Sequence, residues 1–187
     1  MSSFEELVDD GAGRAALDRL RDAAGAVGGP MERHCLRTRL IAARLAELRG
    51  WPVDNELLTV AAILHDAGLY PGISRGGVYT ADGAAASREL LSGLGWEQAR
   101  IERCANAIDR HHDLRSQRAL GNEVEVLRLA DLVDVSAGLI RFGLEREWLR
   151  ELMRTVPRTG LAGELAREVG RALRERPLSM VKIFRRP

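Results

Sequence analysis

The four histidines of this 187-residue sequence all fall on the inward stripe or at the buried end of a predicted helix. Two aspartates, Asp66 and Asp131, fall in the same kind of position. Imidazole and carboxylate together suit a divalent ion such as Mn²⁺, Fe²⁺, Co²⁺, Ni²⁺ or Zn²⁺. A water bound to such an ion can ionise near neutral pH and become a nucleophile. These residue types therefore predict a metal site that activates water, built from His34, His65, His111, His112, Asp66 and Asp131.

The segment Val60–Gly68 is the stretch around which these groups are arranged. Val60–Leu64 is wholly apolar, and it leads directly into His65 and Asp66 before Gly68 ends the run. A helix that is apolar on every side belongs in the protein interior. Polar groups at the end of such a helix need partners, because burying them unpaired is costly. We therefore expect His65 and Asp66 to bind something that is held in the interior.

Hydrophobic periodicity predicts helices throughout the chain and no convincing strand. Glycine and proline separate the helices, as at Gly50 and Pro52 and again at Pro157. Helical bundles build metal sites from side chains on facing helices, which is the arrangement that inward histidines require. We therefore predict an all-α, single-domain helical bundle. Its expected helices span about residues 4–24 (broken near 11–13), 31–49, 54–66, 82–94, 96–112, 123–142, 145–155 and 161–175, with loops at 68–81 and 113–122.

The composition excludes several classes of protein. Apolar residues make up 45% and charged residues 29%, and the net charge of +1 gives no signal for nucleic acid or an anionic membrane. No apolar segment approaches the ~20 residues of a membrane span. Cys35 and Cys104 do not form a disulfide framework, which favours a reduced, cytoplasmic setting. We expect an N-terminal helical extension at 1–30, a metal-binding core at 31–142, and helices with a tail at 143–187 that pack on this core.

The order of the candidate groups resembles the HD superfamily of metal-dependent hydrolases. A first histidine, an adjacent His-Asp pair, two further histidines and a later aspartate follow one another over about residues 31–142. Ala61–Gly68 looks like the central helix of that superfamily, and Leu129–Asp134 looks like its final motif. The resemblance implies an all-α bundle that holds a divalent metal ion. It also implies the ligands of that ion, which are His34, His65, Asp66 and Asp131.

The resemblance leaves the number of ions and the role of the paired histidines open. His111 and His112 match residues that hold a second ion in two-metal members, and that contact substrate or move protons in one-metal members. Two-metal members usually carry a further histidine after the glycine-rich loop, where this sequence has Asp82 and Gly83. Asp82 either replaces that histidine as a ligand or caps the helix. We therefore expect one ion, with a second ion as the alternative. We expect Asp134 to orient a ligand histidine, and it is a second candidate for a ligand itself.

The commonest chemistry of the superfamily implies the hydrolysis of a phosphoester or nucleotide. In that reaction a metal-activated water attacks phosphorus, Asp66 orients the water, and His111 or His112 protonates the leaving oxygen. A phosphate also needs positive partners. Arg37 in the second predicted helix and Arg75 in the glycine-rich loop are the expected substrate-binding residues.

Two other functions are open at this stage. Short segments resemble the cyanamide hydratase branch of the superfamily, which adds metal-bound water to a small nitrile and needs no phosphate clamp. These segments are Arg33–Thr38, Tyr79–Arg88 and Asp134–Gly138. A regulatory HD domain without catalysis is the third reading, and it is disfavoured because every expected ligand position is filled. The expected partner is a small-molecule substrate, and a homodimer through the helices after Glu145 is an open alternative.

Overall fold

The computed structural model describes residues 3–8 and 11–175. Within these residues it contains eight α-helices, three short 3-10 helices and no strand, which confirms the predicted all-α class. None of these helices is long and apolar enough to cross a lipid bilayer. The tail beyond residue 175, which we expected to pack on the core, lies outside the described residues. The helices are α1 (Ala12–Ala24), α2 (Pro30–Arg49), α3 (Asn55–Leu64), α4 (Tyr79–Gly93), α5 (Gln98–Arg110), α6 (Asn122–Val135), α7 (Arg146–Thr155) and α8 (Leu161–Glu175).

Helix α3 forms the centre of the bundle, because every residue from Leu57 to Leu64 is buried. Asp54 caps its first turn, with Oδ1 accepting a hydrogen bond from the amide of Leu57 at 3.1 Å. Arg100 on α5 holds the same carboxylate through two hydrogen bonds of 2.6 and 2.8 Å. Helices α1, α2 and α5 pack around α3. The His-Asp pair that follows Leu64 therefore emerges inside the bundle.

Helices α2 and α6 pack against each other and carry the remaining expected metal ligands. Helix α2 begins at Pro30 and ends before Gly50, whose φ of 62° closes the helix in the left-handed conformation. Glu164 on α8 accepts hydrogen bonds from the amide of Met31, at 3.1 Å, and from the hydroxyl of Tyr70. This carboxylate therefore fixes the start of α2 relative to the loop that follows the His-Asp pair.

The predicted end of α6 is wrong. The helix ends at Val135 rather than near Phe142, because Ala137 and Gly138 adopt positive φ values of 53° and 74°. Consecutive residues in the left-handed region cannot continue a right-handed helix. The chain therefore turns away after α6 and reaches α7 through an irregular connection.

The loop that follows the His-Asp pair is shorter than predicted. A 3-10 turn occupies Ala67–Leu69, and α4 begins at Tyr79 rather than at Asp82. Gly68 permits this compact arrangement, since a Cβ at this position would lie 2.0 Å from the carbonyl oxygen of Tyr79. Only glycine lets the turn approach the first residue of α4 this closely.

Candidate metal centre

Three parts of the chain bring polar side chains to one buried point in the bundle. His34 comes from α2, His65 and Asp66 directly follow α3, and Asp131 comes from α6. His34 Nε2 lies 3.1 Å from His65 Nε2 and 3.3 Å from Asp131 Oδ1. Asp66 Oδ2 lies 3.6 Å from both of these imidazole nitrogens. The structure therefore brings together the four residues that were expected to be ligands, and each is at most 5% exposed.

This spacing is close to the one that a divalent metal ion imposes, since the 3.1 and 3.3 Å distances match it and the 3.6 Å distances exceed it slightly. Metal–nitrogen and metal–oxygen bonds of ~2.1 Å, at octahedral or tetrahedral angles, place neighbouring donor atoms about 3.0–3.4 Å apart. Two carboxylates would also balance the double positive charge of such an ion. His34, His65 and Asp131 form one group that could hold a divalent metal, and His65, Asp66 and His111 form another, as do His111, His112 and Asp131.

Two buried atoms beside these ligands indicate a further occupant. Asp66 Oδ1 and His111 Nε2 lie 3.5 Å apart, and neither has a hydrogen-bond partner among the described residues. Unpaired buried polar atoms are costly, so they usually mark a bound water, ion or ligand. This pair of atoms is the place where a water could form hydrogen bonds to the protein, with the Asp66 oxygen as the acceptor.

In two of the histidines, the Nδ1 atom, which points away from the cluster, is held by a backbone carbonyl oxygen. His65 Nδ1 lies 2.8 Å from the carbonyl oxygen of Ala62, and His111 Nδ1 lies 2.6 Å from that of Ile108. Each ring sits immediately after a helix, where the carbonyl oxygens of the last turn are free to accept. When Nδ1 carries the proton that it donates to a carbonyl, Nε2 keeps its lone pair for a ligand or a proton.

Asp134 orients His34, as expected. Its Oδ2 accepts a hydrogen bond from His34 Nδ1 at 2.6 Å. Arg37 donates to the same carboxylate twice, from Nε to Oδ1 at 2.6 Å and from Nη2 to Oδ2 at 2.9 Å. Asp134 and Arg37 are both fully buried, and Arg37 Nη1 donates to the carbonyl oxygen of Pro157 at 3.1 Å. This placement corrects the expectation that Arg37 binds substrate, because its guanidinium is committed to Asp134 and to the backbone before α8.

The loop before α4 holds the other expected substrate-binding residue. Arg75 forms an exposed ion pair with Glu89 on α4, and its role in substrate binding stays a prediction. The amides of Arg75 and Gly77 donate to Asp82 Oδ2 at 2.8 and 3.3 Å. Asp82 therefore holds this loop rather than capping α4, whose N-cap residue is Val78. Among the described residues, Asp82 belongs to none of the His/Asp groups that are close enough to share an ion.

Close packing explains why position 83 is a glycine rather than a larger residue. A Cβ at Gly83 would lie 3.0 Å from the carbonyl oxygen of Leu64 and 3.2 Å from Cγ2 of Ile108. Helix α4 packs directly against the ends of α3 and α5 at this point. A histidine at position 83 would therefore displace backbone that positions the His-Asp pair.

Electrostatics in the cluster favour protonated histidines beside ionised aspartates. Burial alone would lower the pKa of His34, but its hydrogen bonds to Asp131 and to two further carboxylates raise that pKa well above its ordinary value. Burial also opposes the raised pKa of His65, which the charge of Asp66 outweighs. For Asp66, burial would raise the pKa, but the charge of His65 and a contact with His111 lower it well below the usual range. A divalent ion would supply the positive charge that these protons provide, so its binding should release protons.

His112 and Tyr79 form the outer edge of the site. The hydroxyl of Tyr79 contacts His112 Nε2, and His112 Nδ1 lies 3.7 Å from Asp131 Oδ2. Burial and the charge of His111 lower the pKa of His112 to about 4, so its ring is neutral near pH 7. The sequence reasoning did not single out Tyr79 as a site residue. The one feature of the sequence that could have indicated Tyr79 is its position at the start of a helix that follows a glycine-rich loop.

Comparison with known proteins agrees with this geometry. A sequence model of the HD domain family matches residues 31–136, which contain all of the histidines and aspartates of the cluster. No curated protein matches the chain. The matched segment extends from α2 to α6 and covers more than half of the 187 residues. The chain therefore belongs to the HD domain family.

Proposed function

We propose that this protein is a metal-dependent hydrolase that acts on a phosphoester or nucleotide. The observation that carries the proposal is the pair of unpartnered buried atoms, Asp66 Oδ1 and His111 Nε2, 3.5 Å apart beside the expected metal ligands. A water that forms hydrogen bonds to both atoms would be positioned for attack on a substrate. A divalent ion, when bound, supplies Lewis-acid polarisation of water and of a substrate oxygen.

The two groups around this water take different roles in the proposed reaction. Asp66 is ionised, because its pKa is held well below the usual range, so its Oδ1 accepts a hydrogen bond from the water and orients the oxygen lone pair. His111 is fixed through Nδ1 by a backbone carbonyl, and its Nε2 has no hydrogen-bond partner among the described residues, so this atom can face the substrate. We assign the proton of the leaving oxygen to His111 rather than to His112, whose pKa is lowered to about 4, so that its ring carries no extra proton to donate near pH 7.

Hydration of a small nitrile is the second candidate, and the placement of the arginines favours it. Asp66 and Asp131 form ion pairs with histidines and with no arginine among the described residues. Arg37 is buried against Asp134, and Arg75 is paired with Glu89. A phosphate normally gains arginine or lysine contacts in addition to a metal, whereas a neutral nitrile needs none. The same Asp66 and His111 atoms would position the attacking water in both reactions.

One set of assays separates these candidates. The protein would be loaded in turn with Mn²⁺, Fe²⁺, Co²⁺, Ni²⁺ and Zn²⁺ and incubated with phosphate monoesters, nucleotides and small nitriles. Asp66→Asn and His111→Gln are the test variants, and Asp18→Asn, on the exposed face of α1, is the matched control. Phosphate release that both test variants lose and the control keeps is the expected result.

The other outcomes have distinct meanings. Conversion of a nitrile to its amide without phosphatase activity would replace the first candidate by the second. A bound ion without any turnover would indicate a regulatory domain. If Asp66→Asn retained both the metal content and the activity of the unmodified protein, the assignment of the site itself would be wrong.

A further inference from the structure

A cavity of about 390 Å³ lies between the end of α6 and one face of α7, and its lining includes no residue of the His/Asp cluster. The lining residues all fall between residues 137 and 153, a segment that the structure describes without a gap. Gly138 and Leu139, in the connection after α6, form one wall. Leu149 and Met153 of α7 form an apolar floor, since a Cβ at Gly138 would lie 3.4 Å from Leu149 Cδ1 and 3.6 Å from Met153 Cε. The volume is in the range of small-molecule sites.

Arginines surround the apolar floor of this cavity. Arg146 and Arg150 lie one turn apart on α7, at the spacing of residues that share a helix face, and Arg141 comes from the connection between α6 and α7. The lining contains no acidic residue. Arg141 and Arg146 form no ion pair and no side-chain hydrogen bond with any described residue. The cavity therefore combines an apolar floor with guanidinium donors that are not committed to another group of the protein.

The three glutamates of this segment neutralise only part of that charge. Glu151 is paired with Arg154 at 2.6 Å, and neither residue lines the cavity. Glu147 lies 3.6 Å from Arg150 and so opposes one of the three arginines. Glu145, the N-cap residue of α7, neither lines the cavity nor forms an ion pair with a described arginine. The other two arginines of the cavity therefore keep their positive charge without a paired acid.

The wall that follows α6 is held in an unfavourable backbone conformation. Ala137 has a φ of 53° and Phe142 a φ of 47°, and these are the non-glycine residues of the described chain with positive φ. The left-handed region is unfavourable for a residue that carries a side chain. The amides of Ala137 and Gly138 donate to carbonyl oxygens of the last turn of α6, both at 2.9 Å, and hold the wall in place. Strained residues of this kind cluster at ligand sites, which is a second reason to regard the cavity as one.

The chemistry of the lining defines the ligand. Leu139, at the rim, is 87% exposed, so a ligand with an apolar group would remove it from water together with the floor. Two unpaired guanidinium groups match the charge of a phosphate monoester, whose oxygens accept their paired donors. We propose that this cavity binds a phosphate monoester with an apolar group, its phosphate on Arg141 and Arg146 and its apolar group on the floor. The proposal does not depend on the reaction proposed for the metal site.

The test compares four probes on the full chain. Hexylphosphonate carries the proposed head and tail and has no ester bond that the protein could hydrolyse. Inorganic phosphate carries the head alone, 1-hexanol the tail alone, and hexanoate a tail with a single charge. Binding would be measured by calorimetry and by the shift in Tm, because a ligand that binds only the folded state stabilises it. We expect hexylphosphonate to bind, phosphate and hexanoate to bind at least about tenfold more weakly, and hexanol not to bind.

Substitutions at exposed positions separate the head of the ligand from its tail. Arg146→Met should weaken hexylphosphonate binding at least about tenfold, because it removes one of the two unpaired guanidinium groups. Its Tm without ligand should equal that of the unmodified protein, since Arg146 is exposed and has no described side-chain partner. Arg154→Met removes the same charge from the same helix outside the cavity and should leave binding unchanged. Leu139→Ser should weaken hexylphosphonate binding several-fold and leave phosphate binding unchanged.

Binding at the metal centre is the competing explanation, and Asp66→Asn distinguishes it. This variant should keep hexylphosphonate binding, because Asp66 does not line the cavity. Loss of binding in Asp66→Asn together with unchanged binding in Arg146→Met would assign the ligand to the metal centre and overturn the proposal. Absence of hexylphosphonate binding to the unmodified protein, or equal binding of phosphate, hexanoate or hexanol, would overturn it as well.

Discussion

Replacing Arg37 by methionine would remove the counter-charge of Asp134 while keeping a side chain of similar length. Arg37 makes two hydrogen bonds to Asp134, of 2.6 and 2.9 Å, and both side chains are completely buried. Asp134 in turn holds His34 through a 2.6 Å contact. The substitution therefore disrupts a buried hydrogen-bond network that includes His34, one of the expected metal ligands.

The magnitude follows from the burial of the pair. Breaking a buried ion pair by removing one partner costs about 3–5 kcal/mol, since the other charge is left without compensation. For a domain of this size each kcal/mol corresponds to roughly 2–4 °C, so the Tm of Arg37→Met should fall by about 6–20 °C. Adding Asp134→Asn removes the stranded charge but keeps an acceptor for His34. The double variant should therefore be more stable than the sum of the two single variants predicts, by about 1–3 kcal/mol.

Urea denaturation of the four proteins of this cycle, followed by circular dichroism in the presence of a chelator, gives the coupling free energy directly. Arg154→Met is the matched control, because the Arg154–Glu151 pair has a comparable contact of 2.6 Å but its side chains are 75% and 61% exposed. It should leave the unfolding midpoint unchanged. Effects of Arg37→Met and Asp134→Asn that simply add would refute the view that these residues form one network with His34.

Three further predictions concern the metal, the turn after the His-Asp pair and the contact with α8. Metal affinity should rise with pH, because the raised pKa values of His34 and His65 let protons compete with the ion at neutral pH. The expected increase is up to about tenfold per pH unit for each proton released. Calorimetry in two buffers of different ionisation heat counts the protons, and an affinity that does not change between about pH 6 and 8 would contradict this reasoning. Gly68→Ala should lower the Tm sharply or prevent folding, since its Cβ would lie 2.0 Å from a backbone oxygen of α4. Gly170→Ala is the control, because no described atom lies within 4 Å of the new Cβ, and it should be neutral or stabilising by roughly 1 kcal/mol. Tyr70→Phe should lower the free energy of unfolding by about 1–2 kcal/mol in urea denaturation, because it removes a buried hydrogen bond to the carboxylate of Glu164 on α8. It should not change the metal affinity, and a change in metal content would show that this contact affects the metal site.

Much of the fold and of the candidate site could be predicted from local pattern. The apolar run before His65, and the cap at Asp54, specify a buried helix that ends at the His-Asp pair, and the structure has this helix. The spacing of His34 within an amphipathic helix places it on the inward side. These features depend on neighbouring residues, so the sequence contains them directly.

The errors occur at helix ends, where an unusual backbone conformation or a loop contact overrides the hydrophobic pattern. The end of α6 depends on left-handed φ values at Ala137 and Gly138, and alanine gives no signal for that conformation. The start of α4 depends on Asp82 holding the loop before the helix, whereas the sequence suggested a cap. In both cases the backbone conformation just outside the helix sets the boundary, and helix propensity does not predict that conformation.

The sequence by itself determined the inventory of the site: four histidines and several aspartates, their order, and the helices that deliver them to the interior. The tertiary structure alone decided how the charges pair. It placed Arg37 against Asp134, 97 positions away, and Arg39 against the neutral side chains of Thr59 and Asn55. Helical periodicity states which side of a helix faces inward, but the partner on that side comes from another helix. Charge pairing is therefore fixed only when the helices pack.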